Sequence, residues 1–255
     1  MVAKFLTGAE DRAMRVTKER LARLALLWSD AVGSAGLARL VAHFGGAWQT
    51  VHASREELGA PTIRLRPEQV VTISTLRDRL EDVEELWREC ERQFIHVVFL
   101  EDDEFPRPLA QIPNAPAALT VYGAWLPGDD PAVAVVGTRS PTPEGVALAE
   151  EIAAACAHHQ LTVVNGLAEG IDQAAHCGVL KAHGRTLAVV GCGLLAIPRN
   201  ATNGMEAEVA RQGAVMSEVG PYTKMSVPHL MARNRLTSGL ARAVIVVQSR
   251  GRGGS

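Results

Sequence analysis

Two hydrophobic rhythms divide this chain. Between residues 18 and 88 the apolar positions recur at helical spacing, with Leu21, Leu24, Leu27 and Trp28 along one side of a first helix. Gly33-Ser-Ala-Gly36 interrupts, and a second helix, Leu37–Phe44, is expected to stop at Gly45-Gly46. A third short element carries Val51 and Leu58, with Ser54 as its cap and Glu57 three residues on, the pattern of a capping box. Residues 66–92 read as one long charged helix with Leu76, Leu80, Val83, Leu86 and Trp87 on its apolar side. The second rhythm is different. Val133–Val136, Leu161–Asn165, Thr186–Val190, Ala214–Val219 and Ala243–Gln248 are unbroken apolar runs separated by helical patterns. Such runs predict strands of a mostly parallel sheet with helices on both faces. The fold class is therefore α/β, preceded by a small all-α domain. The expected division is a poorly ordered segment over residues 1–20, a helical module over 21–88 and the sheet domain over 89–255.

Each of the first four runs ends in a glycine turn: Gly137-Thr-Arg139, Gly166-Leu-Ala-Glu-Gly170, Gly191-Cys-Gly193 and Gly220-Pro221. Ligands of open parallel sheets gather at the carboxyl ends of the strands, where these turns fall. Behind the first turn Ser140 leads into Pro141-Thr-Pro143 and a helix, whose first N–H groups lack partners and carry partial positive charge. Arg139 adds a planar, permanently charged fork suited to phosphate. The pattern points to an anion site. Backbone geometry alone also calls for glycine in such turns, so the turns converging together carry more weight than any one of them.

Composition narrows the classes. The chain has 255 residues, 47% hydrophobic and 21% charged, enough for two buried cores, and no apolar run reaches a membrane span. Neither a secretion signal nor a membrane partner is expected, and a cytoplasmic location follows. Cys90, Cys156, Cys177 and Cys192 are scattered without a metal or disulfide spacing, so no metal and no cofactor is expected. A formal net charge of −2 does not by itself indicate a polyanion partner, but its distribution is uneven. Residues 81–104 hold ten acids against two arginines, whereas residues 219–255 hold six Lys/Arg and no acid. A basic final third beside glycine turns fits a polyanion lying along one face.

The motifs, in order, resemble the DNA-processing protein A family (DprA, also called Smf). Asp103-Glu-Phe-Pro-Arg-Pro-Leu109 and Ile112-Pro-x-Ala-Pro-x-x-Leu119 look like the family's lead-in to an extended Rossmann-like domain. Gly137-Thr-Arg139 with Pro141-Thr-Pro143, Gly166-Leu-Ala-x-Gly-Ile-Asp172-x-x-Ala-His176, Ser217-Glu218, and Ala232-Arg-Asn-Arg235 with Ser238-Gly-Leu240 follow in family order. The resemblance runs from about Leu21 to the last residue, and the helices flanking the first glycine break look like a helix-hairpin-helix or SAM-type module. It implies a protein that binds and protects single-stranded DNA and hands it to the RecA recombinase, in DNA recombination and natural transformation, without covalent chemistry. Carried over by position, Arg139 and Arg235 would hold phosphates with Arg233 as a neighbour, and Lys181 and Arg185 would face the strand. Gly137, Gly166, Gly170, Gly191 and Gly193 would let backbone amides approach it, with Thr138 and Ser140 in the first turn. Asn234 would bond a sugar or base edge. The family usually forms homodimers. Here the turn Gly253-Gly-Ser255, which leads relatives into a further helix and strand, is the last of the sequence, so a homodimer is possible by resemblance but left in doubt.

Other features set limits. Asp172 and His176 are spaced i, i+4 and read as a structural pair, the carboxylate capping and the imidazole packing beneath the crevice. No serine or cysteine nucleophile has a matching position. Glu169 stands where many relatives carry arginine, and it opposes a nearby phosphate by on the order of 1 kcal/mol. Leu195 and Ile197 replace an Asp and a Tyr, and with only 4% aromatic residues base stacking is expected to be minor beside backbone electrostatics. Two alternatives use the same crevice: a nucleotide-sensing domain, and a nucleoside-monophosphate phosphoribohydrolase. The second normally carries Pro-Gly-Gly-x-Gly-Thr-x-x-Glu where this chain has Ser217-Glu-Val-Gly-Pro221.

Overall fold

The apolar runs of the second half join one seven-stranded sheet. The computed structural model describes residues 16–198 and 202–249, in two units that meet in the chain between Glu89 and Cys90. The expectations for residues 1–15 and for Gly253-Gly-Ser255 lie outside the described residues, whereas Lys18–Arg20, expected to be poorly ordered, open a helix that Thr17 caps.

The strands are β1 (Ile95–Phe99), β2 (Ala118–Gly123), β3 (Ala132–Val136), β4 (Thr162–Asn165), β5 (Thr186–Val189), β6 (Ala214–Ser217) and β7 (Ala241–Val246), in the order β1-β2-β6-β5-β4-β3-β7. From β6 to β7 the pairs are parallel, with Val133 opposite Val163, Val164 opposite Leu187 and Ala188 opposite Val215. β2 runs antiparallel to β6, and β1 antiparallel to β2. The sheet is thus Rossmann-like and mostly parallel, but mixed. Five strands are legible as long runs; β1 and β2 were not among them, although Ile-His-Val-Val-Phe and Ala-Leu-Thr-Val-Tyr are strand-forming sequences.

Alternate residues of each strand enter different cores, as the two-residue period of a strand requires. Ala132, Ala134, Leu187, Val189, Ala214 and Met216 face a layer with Phe105, Leu109, Leu236 and Leu240. Val133, Val135 and Val163 face the other side, packed with Ala153, Ala175 and Val179 from the helices Pro143–His158 and Ile171–Lys181. Helix Met205–Gln212 adds Val209 and Ala210 on Ala188 and Val215. Burial on both faces is why the runs of β3 to β6 do not alternate with polar residues, whereas the edge strand β7 leaves Val244 and Val246 about half exposed.

In the helical unit, Thr17 caps Lys18–Trp28 by accepting from the Arg20 N–H at 3.2 Å. The Ser54 and Glu57 side chains form the reciprocal capping box ahead of Arg55–Leu58. Leu24, Leu26, Leu40, Leu58, Ile63 and Ile73 are fully buried. Two expectations are corrected. Helix Ser34–Phe44 starts at Ser34, so Gly36 lies inside it and the glycine break is shorter than the sequence suggests. Residues 66–92 form separate helices, Pro67–Ser74 and Leu80–Arg92, joined by a 3₁₀ turn. The hydroxyls of Thr72, Ser74 and Thr75 bond back to the carbonyls of Glu68, Val71 and Thr72 at 2.8–2.9 Å, the competition that weakens a helix where such residues cluster.

Candidate nucleic-acid interface

The carboxyl ends of β3, β4, β5 and β6 lie on one edge of the sheet, and the turns that leave them border a cleft of ≈ 190 Å³. Its wall includes Arg139, Gly166, Ala168, Glu169, Gly191, Cys192, Ile197, Met225, Leu230 and Arg233.

The second turn is tied down from within. Asp172, in the first turn of helix Ile171–Lys181, bends its carboxylate back to accept from the N–H groups of Gly166 at 3.0 Å and Ala168 at 3.4 Å. Asn165 holds the same turn, accepting from the Leu167 N–H and donating to the Asp172 carbonyl. Gly170 adopts φ +91° so that its Cα can lie against the Thr138 carbonyl, which also accepts from the Ile171 N–H at 3.2 Å. The first and second turns are thereby locked to each other.

Arg233 descends on these turns from helix Val227–Leu240. It is only 9% exposed, and its guanidinium lies over Gly166 so closely that a β-carbon there would collide with it. Its Nη1 donates to Thr237 at 3.3 Å, but its Nε–H has no partner among the described residues. Burial pushes the Asp172 carboxyl above its ordinary range, opposed by Arg233, the two amides and Arg139. Burial likewise lowers Arg233, opposed mainly by Asp172. Arg139 is exposed on the facing turn and has no hydrogen bond or ion pair among the described residues. Two guanidiniums face the Asp172 carboxylate at the cleft, and the exposed Glu169 on its rim opposes the positive charge that remains.

The other expected residues take different places. Arg235 does not reach the cleft: Glu218, from the turn after β6, receives its Nη2 in an ion pair. Two positions along a helix separate side chains by about 160°, so Arg233 and Arg235 cannot face the same cleft. Arg233, read as a neighbour, is the lining residue. Asn234 is exposed on that helix. Lys181 and Arg185 lie at the far end of the parallel strands. Arg185 precedes β5 and forks onto Asp129 at 2.6 and 2.7 Å and the Ala124 carbonyl at 2.8 Å; Lys181 pairs with Glu150 at 2.6 Å. A helix that leaves the carboxyl edge returns its last turn to the amino edge, which removes both cations from the crevice.

Two of the five glycines expected to offer backbone amides have those amides already engaged. The Gly166 N–H is taken by Asp172, and that of Gly193 donates to the Thr223 carbonyl at 2.8 Å. Side chains at Gly137 and Gly191 would meet Gln248 with Ile171 and Leu230 respectively. Thr138 donates its N–H to the Gln248 carbonyl, and its hydroxyl accepts from the N–H of the exposed Ser140. Asp172 and His176 are not a pair. The buried His176 bonds Thr186 at 2.8 Å, at the start of β5 and away from the cleft, and burial lowers its pKa to about 3. Cys192 lines the cleft as a thiol that burial pushes up to about 11. Leu230 and Met225, also in the wall, were not singled out from sequence; only Leu230, three residues before Arg233, had a helical-spacing signal. Among the described residues no group of three or more His, Cys, Asp or Glu side chains could hold a metal ion, and no helix is long and apolar enough to cross a membrane.

Comparison with known proteins adds a family. A model described as DNA recombination-mediator protein A matches residues 96–255. Protein Smf of Synechocystis sp. is 37% identical over 153 residues, covering 58% of this chain and 38% of its own. DNA processing protein DprA of Streptococcus pneumoniae is 37% identical over 154 residues, 60% of this chain and 54% of its own; that of Bacillus subtilis is 32% identical over 164 residues, 64% and 55%. The chain thus spans 38–55% of the length of these relatives. The crystal structure of the Streptococcus pneumoniae protein is similar with a TM-score of 0.69 and 27% identity, over 95% of this chain and 81% of that one. A structure describing the single-stranded DNA binding mode of DNA processing protein A from Helicobacter pylori is similar over 62% of this chain and 71% of that one, with a TM-score of 0.54 and 28% identity.

Proposed function

The chain belongs to the DNA recombination-mediator protein A family, and on that premise we propose that it binds single-stranded DNA by its phosphates, at the cleft between Arg139 and Arg233. The observation that carries this reading is the pair of guanidiniums over the locked glycine turns, one exposed and the other buried with an unpartnered Nε–H. A buried cation with an unused donor costs free energy unless an anion meets it, and a phosphate oxygen satisfies both needs. The function is binding rather than covalent chemistry. His176, the nearest imidazole in the family pattern, is held in the protein interior, and Cys192 keeps its proton at neutral pH. The bound strand is protected and passed to the RecA recombinase, in DNA processing for recombination, in the cytoplasm. A homodimer would present two such clefts.

The test is fluorescence anisotropy of a labelled pyrimidine oligonucleotide across a salt series, with a duplex and a nucleoside monophosphate as competitors. Binding at micromolar concentration or tighter that weakens steeply with salt and resists the mononucleotide is the expected result. Displacement by the mononucleotide would assign the cleft to a nucleotide sensor instead, and absence of strand binding would overturn the reading.

A further inference from the structure

Arg139 stands on the turn that joins β3 to helix Pro143–His158, exposed and without a hydrogen bond or ion pair of its own among the described residues. The direction of its guanidinium is therefore set by the backbone of that turn. One residue from the neighbouring strand closes the turn at both ends. β7 keeps pace with β3 to its end, where the Val247 N–H donates to the Val136 carbonyl at 3.0 Å. Gln248 follows. Its main-chain carbonyl accepts from the Thr138 N–H at 2.8 Å, and its side-chain Oε1 accepts from the Thr142 N–H at 3.0 Å. Two glycines make room for it: a β-carbon at Gly137 would crowd the Gln248 carbonyl, and one at Gly145, in the first turn of the helix, would collide with Oε1. On its other side the turn lies against Gly170 and gives the Thr138 carbonyl to the Ile171 N–H.

We propose that Gln248 is the positioning residue for Arg139: it staples Thr138 to Thr142, so that the guanidinium stands at the cleft before a strand arrives. The proposal rests on the phosphate reading of the cleft. A turn already held by hydrogen bonds does not have to be ordered when a ligand binds, and that saving appears as affinity. Gln248 is uncharged and outside the cleft wall, so it acts on an anion through Arg139 and not by contact. The Thr142 bond lies at the surface, where water replaces a lost acceptor, so the fold does not depend on it.

The test is anisotropy of a labelled oligothymidylate on the 255-residue chain, with denaturant unfolding alongside, for wild type, Gln248→Met, Gly145→Ala, Arg139→Ala and the double variant Arg139→Ala/Gln248→Met. Methionine matches the length of glutamine but offers no amide oxygen. Alanine at Gly145 suits the helix and displaces only the flexible end of Gln248, because the next atom beyond that amide, on Pro141, is at ordinary contact distance. Gln248→Met and Gly145→Ala should each weaken binding roughly fivefold with stability unchanged, and Gln248→Met should add less than about twofold once Arg139 is alanine. An equal loss in both backgrounds would show that Gln248 does not act through Arg139, and undiminished binding by Gln248→Met and Gly145→Ala would show that the turn needs no staple; either overturns the proposal while the phosphate reading stands. Wild-type affinity in Arg139→Ala, or no strand binding by the wild type, would overturn both.

Discussion

Arg233 and Arg235 stand two positions apart, and each keeps one buried guanidinium nitrogen without a partner among the described residues, Nε of Arg233 and Nη1 of Arg235. Place and charge separate them: Arg233 lines the cleft, whereas Arg235 lies outside it in an ion pair with Glu218. Arg139→Ala is expected to weaken strand binding for every sequence and to flatten the salt dependence by about one unit, the signature of one lost phosphate contact. Arg233→Ala should do the same and also lower stability, since it leaves Asp172 buried without its main counter-charge. Arg235→Ala should leave the salt slope unchanged and cost about 1–2 kcal/mol of stability, because Glu218 loses a charged partner while still partly exposed. A salt series on the three variants, with denaturant unfolding alongside, checks all three; a flattened slope for Arg235→Ala would place it at the phosphates after all.

Helix Ile171–Lys181 is the element that makes the cleft possible, and it is fastened at its first turn and its middle. Its first turn holds the glycine turn through Asp172, and its middle rests on β5 through His176 and Thr186. Thr186 gives its proton to the Val163 carbonyl, so His176 Nδ1 donates to Thr186 Oγ1 and the imidazole stays neutral. Its pKa falls from an ordinary 6.5 to about 3, so between those values the unfolded chain binds a proton that the folded chain refuses. Stability from this group is therefore complete above about pH 6.5 and declines as pH falls, by about 1.4 kcal/mol per pH unit. Asp172, with its pKa raised, acts in the opposite sense at the acid end. Urea unfolding of wild type and His176→Gln between about pH 4 and 7 separates the two: the variant should lose most of the decline. Equal slopes would mean that His176 titrates freely.

Across the whole molecule, a net charge of −2 conceals an uneven distribution: ten acids fall within residues 81–104 and none follows Glu218, while the cleft wall carries Arg139, Arg233 and Glu169. The helical unit offers little to a strand's phosphates. Glu19 fills the start of helix Ala47–His52, accepting from the Ala47 and Trp48 N–H groups at 2.7 and 2.9 Å, so the amides after Gly45-Gly46 are already engaged. Residues 90–255 produced alone are accordingly expected to keep the single-strand affinity of the full chain within about twofold, with the same salt slope. Anisotropy on the two proteins decides the point; a loss of tenfold or more would give the helical unit a share in binding.

Local rules were enough for much of this protein. The five long apolar runs, the Ser54–Glu57 capping box and the place of Arg139 in the turn after β3 follow from period and capping chemistry, which act over a few residues. β1 and β2, although no shorter than the others, escaped because strands in an antiparallel flank carry no helix-linked repeat. Tertiary structure alone decided which cations serve the cleft. Lys181 and Arg185 were removed from it by the direction of a helix, and Arg235 by a carboxylate seventeen positions away in sequence. Arg233 was selected by the same rotation that excluded Arg235. Sequence specifies which charges a chain owns, but a charge acts through space, and only the packed helices and turns determine what lies within its reach.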